Sequence, residues 1–460
     1  MNLSELESLA TPLPEDILKE KWSGNFDRAR MLITRRLQGE IPEVLQTRLK
    51  QELHILDALE GCYTIPRSEA LSVLQAHIPD FTETEFEELH LDGKIDWIYI
   101  NGQTWYLSNF YKSLIRVYPD LWYRSIENQG QRLQDTDALV TETIRGLKEG
   151  DLLKRYIHLK HQVELYPEKV REGELLHVHI PLPVERQQIT NLQYIAFEPE
   201  PKRLPKADSP QPTAYFVQKA VKDQVFSVEY AFDYQAVYHD LAKADFEVIE
   251  MTAVPEILKC YTEEMHPHMR FTPYLRMLAD EIRGDEKNLL VIARKIYDYI
   301  TTKIQYRYVR DYTAFEMIPE TAALLMCGDC GQQALLFMTL CRICGIPAKW
   351  QSGLSVIPGD SGAHDWAQFY IPSIGWLYAD LSLGGEAYRK NDELLWNFYF
   401  GNIDPYRVPI NNEFQAEFDQ PKKFWRKDPY DNQMGEVEYE DAGIYRASER
   451  KVTLTTIEVY

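Results

Sequence analysis

Four of the six cysteines of this 460-residue sequence lie in one short segment, and their spacing could support three kinds of chemistry. They form two C-x-x-C pairs, Cys327/Cys330 and Cys341/Cys344. Two such pairs can bind zinc, one pair can exchange a disulfide, and a single thiolate can act as a nucleophile. The secondary structure predicted for this segment determines which thiols can come together, and so distinguishes the three options.

The spacer between the two pairs argues against a shared zinc ion. It reads GQQALLFMTL, contains good helix formers and is apolar nearly all round, which predicts a buried helix. Asp329 is suited to the N-cap, and Gly345 with Pro347 is typical of a helix end. On one helix Cys330 and Cys341 would lie about 16 Å apart, at a rise of about 1.5 Å per residue. Thiolates on one zinc lie within about 4 Å of each other, so we expect no metal.

Cys330 differs from the other cysteines because it stands at the predicted start of this helix. The unpaired N–H groups and the positive end of the helix dipole favour a thiolate there. A thioredoxin-like dithiol would need a buried strand just before it, but the preceding segment contains Pro319 and has helical spacing. Dithiol exchange therefore stays a minor alternative, with Cys327 as a neighbour or redox guard. Cys341 and Cys344 are interpreted as small core residues.

A nucleophilic cysteine needs a base and a group that orients the base, and the next segment contains both. In GAHDWAQFYIPSIGWLYADLSLGG, residues 365–372 and 376–382 alternate as strands around PSIG, which predicts a hairpin. His364 opens the first strand, and Asp380 lies near the end of the second, at the same end of the hairpin. The hairpin should therefore bring imidazole and carboxylate together beside Cys330.

The order of these motifs resembles the core of the transglutaminase-like superfamily over roughly residues 260–385. The matching motifs are Gly328-Asp329-Cys330, Arg342, Gly345-Ile346-Pro347-Ala348, His364, Trp366, Gly375-Trp376 and Asp380. The resemblance implies a papain-like α+β fold with Cys330 as nucleophile, His364 as base and acid, and Asp380 as the orienting partner of His364. Asp365 departs from the family pattern, in which a small or aliphatic residue is commoner, and adds negative charge near the imidazole.

These residues predict acyl transfer on a peptide or glutamine carboxamide through a thioester. The Cys330 backbone N–H would hold the oxyanion, with Tyr306, Tyr308 or Trp350 as candidate second donors. Hydrolysis, deamidation and cross-linking are all compatible outcomes, and no cofactor is expected. The alternative is a catalytically silent scaffold that keeps the fold and binds a protein partner.

The whole chain is predicted to be an α+β multidomain protein. We expect a mainly helical module with a winged-helix-like hairpin over 1–150 and an antiparallel β-sandwich over 155–250. The transglutaminase-like catalytic domain should span 255–405, and a C-terminal extension over 406–460 should pack on the other domains. Acids in DPYDNQ and GEVEYED, within this extension, are interpreted as a solvated face.

Composition narrows the partners and the compartment. The net charge of −21 argues against nucleic acid, whose recognition needs clustered Lys and Arg, and against anionic membranes. We therefore expect a protein or peptide substrate and interpret the N-terminal module as a structural or partner-docking unit. No signal peptide or membrane span is visible, and six cysteines are too sparse for a disulfide scaffold, which together favour the cytoplasm.

Overall fold

A computed structural model describes residues 6–129, 132–150, 152–241, 254–358, 360–372, 374–446 and 448–460. Helices and several separate sheets confirm the predicted α+β multidomain class. Residues 242–250 of the range expected for the sandwich, and Ser373 in the expected hairpin turn, lie outside the described residues.

The N-terminal module (residues 6–129) packs helices around a small antiparallel sheet. Its helices are α1 (Glu15–Trp22), α2 (Phe26–Leu37), α3 (Glu43–Cys62), α4 (Arg67–His77), α5 (Glu83–Leu91), α6 (Phe110–Val117) and α7 (Pro119–Arg124). Strands β1 (Tyr63–Pro66), β2 (Trp97–Ile100) and β3 (Gln103–Leu107) pair in the order β1-β3-β2. The predicted hairpin is confirmed, because Asn101 and Gly102 take φ values of 49° and 82° between β2 and β3.

The next segment is a helix followed by five strands. These are α8 (Arg132–Gly150), β4 (Leu152–Leu165), β5 (Leu175–Pro181), β6 (Ile189–Glu198), β7 (Thr213–Lys219) and β8 (Val225–Val237). In β4, Ile157, Leu159 and Val163 are buried at alternate positions, the pattern of a strand with one face on a core. A proline-rich segment separates β6 from β7.

The segment around the five-stranded sheet, here called the five-stranded core (residues 273–411), combines helices with that antiparallel sheet and a separate pair of short strands. Its helices are α9 (Pro273–Arg283), α10 (Leu289–Lys303), α11 (Ile318–Leu325), α12 (Cys330–Ile343), α13 (Leu381–Arg389) and α14 (Glu393–Phe398). Its strands are β9 (Gln305–Tyr306), β10 (Cys327–Gly328), β11 (Ala348–Ile357), β12 (Asp360–Ile371), β13 (Gly375–Ala379), β14 (Phe400–Gly401) and β15 (Arg407–Asn411). The sheet order is β14-β13-β12-β11-β15, while β9 and β10 form a separate parallel pair.

Strands from the C-terminal segment complete the sandwich. These are β16 (Glu436–Tyr439), β17 (Gly443–Ile444) and β18 (Arg450–Val459). One sheet has the order β17-β16-β5-β7 and the other β18-β4-β8-β6, so the sandwich uses strands from outside residues 155–250.

Buried apolar side chains of the described residues form two clusters. One belongs to the N-terminal module, and the other runs without a break from the sandwich into the five-stranded core. Among the described residues, no helix combines the length and apolarity needed to cross a membrane.

Candidate active site

Cys330 begins α12, as predicted from the sequence. The Asp329 carboxylate caps the helix, because its Oδ1 accepts a 2.9 Å hydrogen bond from the backbone N–H of Gln332. Side chains from Gly331 to Arg342 are all buried, and Cys344 forms the C-cap. The structure therefore fixes Cys330 at the end of a rigid, enclosed helix, and it places Cys341 in the core.

The predicted hairpin brings His364 and Asp380 together. Strands β12 and β13 pair antiparallel with Ala367 opposite Ala379, and Asp380 follows directly. The imidazole Nε2 of His364 lies 2.7 Å from Oδ2 of Asp380. Both side chains are nearly or fully buried, at 11% and 0% exposure. This contact is the one that an orienting carboxylate makes with a catalytic histidine.

Asp380 is held as a carboxylate by a buried cation as well as by His364. The Arg407 guanidinium lies 3.0 Å from Oδ2 of Asp380, and Arg407 also pairs with Asp404. Burial by itself raises the pKa of Asp380, but the charges of His364 and Arg407 outweigh it and lower that pKa to about 2. Oδ1 of Asp380 accepts the backbone N–H of Leu383 and so caps α13.

The structure does not show the predicted contact between Cys330 and His364. The thiol hydrogen bond runs to Asp365, and His364, its neighbour on β12, points to the other face of that strand. Sγ of Cys330 donates to Oδ2 of Asp365 at 3.4 Å. Oδ1 of the same carboxyl accepts a 2.7 Å hydrogen bond from the side-chain amide of Gln433. The acidic side chain expected near the imidazole therefore lies directly against the thiol.

The surroundings of Cys330 favour its neutral form. Burial raises the pKa of the Cys330 thiol well above its ordinary value, and the charges of Asp365 and Asp329 raise it further. The expectation that the helix start favours a thiolate is therefore wrong for this arrangement. Desolvation and two adjacent carboxyl groups outweigh the helix dipole.

The C-terminal segment contributes further buried carboxyl groups to this site. Burial raises the pKa of Asp431 to about 6, and Asp431 in turn raises the pKa of Asp365 beyond the effect of burial. Asp431 bonds the hydroxyl of Ser352 on β11. Glu436 and Glu438 are also buried, at 1% and 4% exposure, so the solvated face expected for the acids of this segment is wrong for these two, whereas Glu440 and Asp441 are exposed. Both carboxylates have partners in the interior, because Glu436 pairs with Lys422 and Glu438 accepts hydrogen bonds from two backbone N–H groups.

Three residues at the site were missed by sequence reasoning. The Tyr312 hydroxyl bonds the Asp329 carboxylate, Arg407 supports Asp380, and Gln433 holds Asp365. Arg407 and Gln433 lie beyond the matched motifs, and no short-range pattern connects them with the site. Tyr312 could have been noticed as an aromatic polar residue shortly before the cysteine segment.

The candidate second oxyanion donors occupy different positions. Tyr306 lies in β9 beside Gly328, under the guanidinium of Arg116 at 3.9 Å. The Trp350 ring packs at the start of α12, where a Cβ added to Gly331 would lie 3.1 Å from Cη2. Tyr308 packs against the core of the N-terminal module, and its backbone N–H donates to the hydroxyl of Ser113.

No metal-binding arrangement is found among the described residues: no group of three or more His, Cys, Asp or Glu side chains could hold an ion. The cysteines at positions 62, 260, 327, 330, 341 and 344 are all free thiols.

The family comparison identifies the part of the chain that carries this site. The model of the transglutaminase-like superfamily matches residues 276–381, a range that includes Cys330, His364 and Asp380. These residues form a transglutaminase-like core. No curated protein matches the sequence.

Solved structures that resemble the chain include two candidate proteases and one periplasmic domain. A candidate cysteine protease from Cytophaga hutchinsonii is 16% identical, with a TM-score of 0.43, covering 67% of this chain and 91% of that one. The periplasmic domain of TgpA from Pseudomonas aeruginosa is 12% identical, with a TM-score of 0.28, covering 56% and 95%. A candidate protease from Parabacteroides distasonis is 9% identical, with a TM-score of 0.23, covering 57% and 48%. At these TM-scores, assignment of the transglutaminase-like core rests on the family match.

Proposed function

We propose that the protein is a cysteine-nucleophile acyl transferase or hydrolase that acts on a peptide or glutamine carboxamide. The observation that carries this proposal is the buried His364–Asp380 pair at 2.7 Å, in the same family-matched segment as Cys330. A histidine fixed by a carboxylate is the group that takes and returns protons in thiol acyl transfer.

In the proposed reaction the Cys330 sulfur attacks the carbonyl carbon, and the thiol proton passes to His364, which must reach the thiol from the other face of β12. The C–N bond breaks, the amine or ammonia leaves with a proton from His364, and a thioester forms. His364 then accepts a proton from water or an acceptor amine, which attacks the thioester and releases the thiol. The oxyanion would be held by the backbone N–H of Cys330 at the start of α12.

The reaction is tested with Cys330→Ala against a matched variant, Cys344→Ala, at the other end of α12. Ammonia release and new peptide termini would be measured with a set of glutamine-containing peptides. We expect Cys330→Ala to lose all turnover while its melting temperature stays within a few degrees of the wild type, and Cys344→Ala to remain active. Turnover above background in Cys330→Ala would contradict the proposal.

The second candidate is a silent scaffold that binds a protein partner. It is favoured by the carboxyl group of Asp365 against Cys330 and by the raised pKa of that thiol. A covalent thiol probe separates the two functions. A working site should label at Cys330 and lose turnover in proportion, whereas a silent site should show no turnover to lose.

The proposed partners are a protein or peptide substrate, without nucleic acid or membrane. The acidic net charge of −21 supports this choice. We also propose a cytoplasmic location, which six free cysteines support because a reducing compartment keeps thiols unpaired.

A further inference from the structure

Asp365 is placed between the thiol and a side chain from a distant part of the chain. Its Oδ2 accepts a hydrogen bond from the Cys330 thiol at 3.4 Å, and its Oδ1 accepts one from the Gln433 side-chain amide at 2.7 Å. Gln433 also donates to the backbone carbonyl of His364 at 2.9 Å. One amide therefore fixes both the carboxyl group and the strand that carries it.

Strand geometry explains why this carboxyl group faces the thiol. Successive side chains of a strand point to opposite faces of its sheet. Phe369 of β12 contacts Phe337 of α12, so the face that carries residues 365 and 369 is the one against the helix. Trp366, on the alternate face, bonds Gln351. Position 365 is thus the position of β12 that is presented to the start of α12.

We infer that Asp365 is a positioning residue: its carboxyl group, held by Gln433, binds the Cys330 thiol hydrogen and keeps the sulfur protonated until substrate enters. The inference rests on the proposed function, because it names the group that controls the nucleophile of that reaction. Asp365 acts through Cys330 and is not assigned a contact with substrate.

The charged and titratable groups around the pair favour a proton on it, because most of them are acidic. Asp329 faces it from the start of α12, Asp428 and Asp431 from the C-terminal segment, and Tyr306 and Tyr312 from the segment before α11. The charges of Asp431, Asp329 and Asp428 all raise the pKa of Asp365, after burial as the largest cause. Arg426 is the cation whose charge acts on Asp428 and Asp431.

Replacement of the ionisable carboxyl group of Asp365 by an amide should make Cys330 more reactive. The test is site-resolved alkylation of the full chain with iodoacetamide between pH 6 and pH 10, in the wild type and in Asp365→Asn. We expect the midpoint of the Cys330 profile to fall in the variant, with alkylation at pH 7 faster by about tenfold per unit of pKa change. The exposed Cys260 serves as an internal reference whose profile should not move.

A second variant keeps the inference testable if Asp365→Asn does not fold. Gln433→Ala removes an N–H donor from the carboxylate, so Asp365 should hold a proton more readily and the Cys330 midpoint should fall by a smaller amount. Asp298→Asn is the matched control, because Asp298 pairs with Arg294 on α10 and does not contact Cys330. Its Cys330 profile should equal that of the wild type.

The outcomes separate this inference from the proposed function. An unchanged or slower Cys330 profile in the folded variants overturns the inference, even where Cys330→Ala abolishes turnover. A shifted profile without turnover in any variant supports the inference and rejects the proposed function. A purely structural role of Asp365 would lower the melting temperature without moving the Cys330 profile relative to Cys260, which also overturns the inference.

Discussion

At the scale of single residues, Asp380 is the carboxylate that contacts both His364 and the buried Arg407. It accepts from His364 and Arg407 through one oxygen and caps α13 with the other. Burial of a carboxylate is costly unless it is paired and hydrogen-bonded, and Asp380 meets both conditions. The same carboxylate that orients the imidazole therefore stabilises the fold.

This arrangement predicts a specific dependence of stability on pH. Because the pKa of Asp380 is lowered to about 2 in the folded protein, its ionisation stabilises the fold at pH values above its unfolded pKa. That contribution, about 2 kcal/mol, should be lost as the pH falls from about 4 to about 2. Asp380→Asn should therefore be less stable than the wild type at pH 7, and the gap in free energy of unfolding should narrow over this window.

The measurement is urea unfolding at pH 7, 4 and 3, with the exposed Asp285→Asn as control. The control should follow the wild type at every pH, since Asp285 is solvated. A gap between Asp380→Asn and the wild type that stays constant down to pH 3 would show that Asp380 does not carry this titration.

Residue types and spacing were enough to predict the His364–Asp380 contact, because both lie on one hairpin whose register the alternation and the turn specify. They were not enough to predict what faces Cys330. That depends on which face of β12 packs on α12, and His364 and Asp365 are neighbours that point to opposite faces. The carboxyl group of Asp431 and the amide of Gln433 reach the site through tertiary contacts that no local pattern contains.

At the scale of elements, α12 is the central support of the site. It is buried from Gly331 to Arg342, so its apolar side chains, rather than helix propensity, hold Cys330 in place. Leu336 has no exposed surface. The position of the thiol therefore depends on packing deep in the core.

Truncation of this packing should be costly. Leu336→Ala is expected to lower the free energy of unfolding by about 2–5 kcal/mol, because it leaves a cavity beside α12. Leu324→Ala on α11, whose side chain is 60% exposed, is the matched control and should change stability by less than about 0.5 kcal/mol. Chemical denaturation measures both, and equal effects of the two substitutions would contradict the prediction.

The elements around Cys330 were largely predictable, whereas the C-terminal ones were not. The N-cap Asp329 and the terminating Gly345 mark α12 because capping is local chemistry, and Asn101–Gly102 marks a hairpin for the same reason. β16 and β18 lie in the segment that was predicted only as a C-terminal extension. Their partners β5 and β4 lie far away in sequence, and pairing at that separation has no local signature.

At the scale of the whole molecule, the N-terminal module contacts the transglutaminase-like core beside the candidate site. Arg116 of α6 lies 3.9 Å over the Tyr306 ring and 3.1 Å from the Glu386 carboxylate. Arg307 donates to the backbone carbonyl of Gly93. The residues that precede α11 and α12 are therefore held by the module.

Arg116→Ala should loosen this contact. We expect the free energy of unfolding to fall by about 1 kcal/mol, since the side chains of Arg116 and Glu386 are both partly exposed. Amide hydrogen exchange over residues 305–308 should become faster. Arg124→Ala is the control, because Arg124 pairs with Asp80 and Glu85 inside the module. Exchange over 305–308 that is the same in both variants would show that Arg116 does not hold this segment.

The pairing of β18 with β4 and of β16 with β5 has a consequence for biogenesis. In each pair the two strands lie on opposite sides of the transglutaminase-like core in the sequence, so that core is an insertion between two parts of the sandwich. During synthesis, β4 and β5 leave the ribosome long before β18 and β16. Until those strands are made, one edge of β4 and one edge of β5 have no paired strand. Contacts of such long range form slowly, and waiting strand edges can pair with other chains. Nascent chains that stop before residue 436 should therefore depend on chaperones, whereas the helices of the N-terminal module can already fold around their own core.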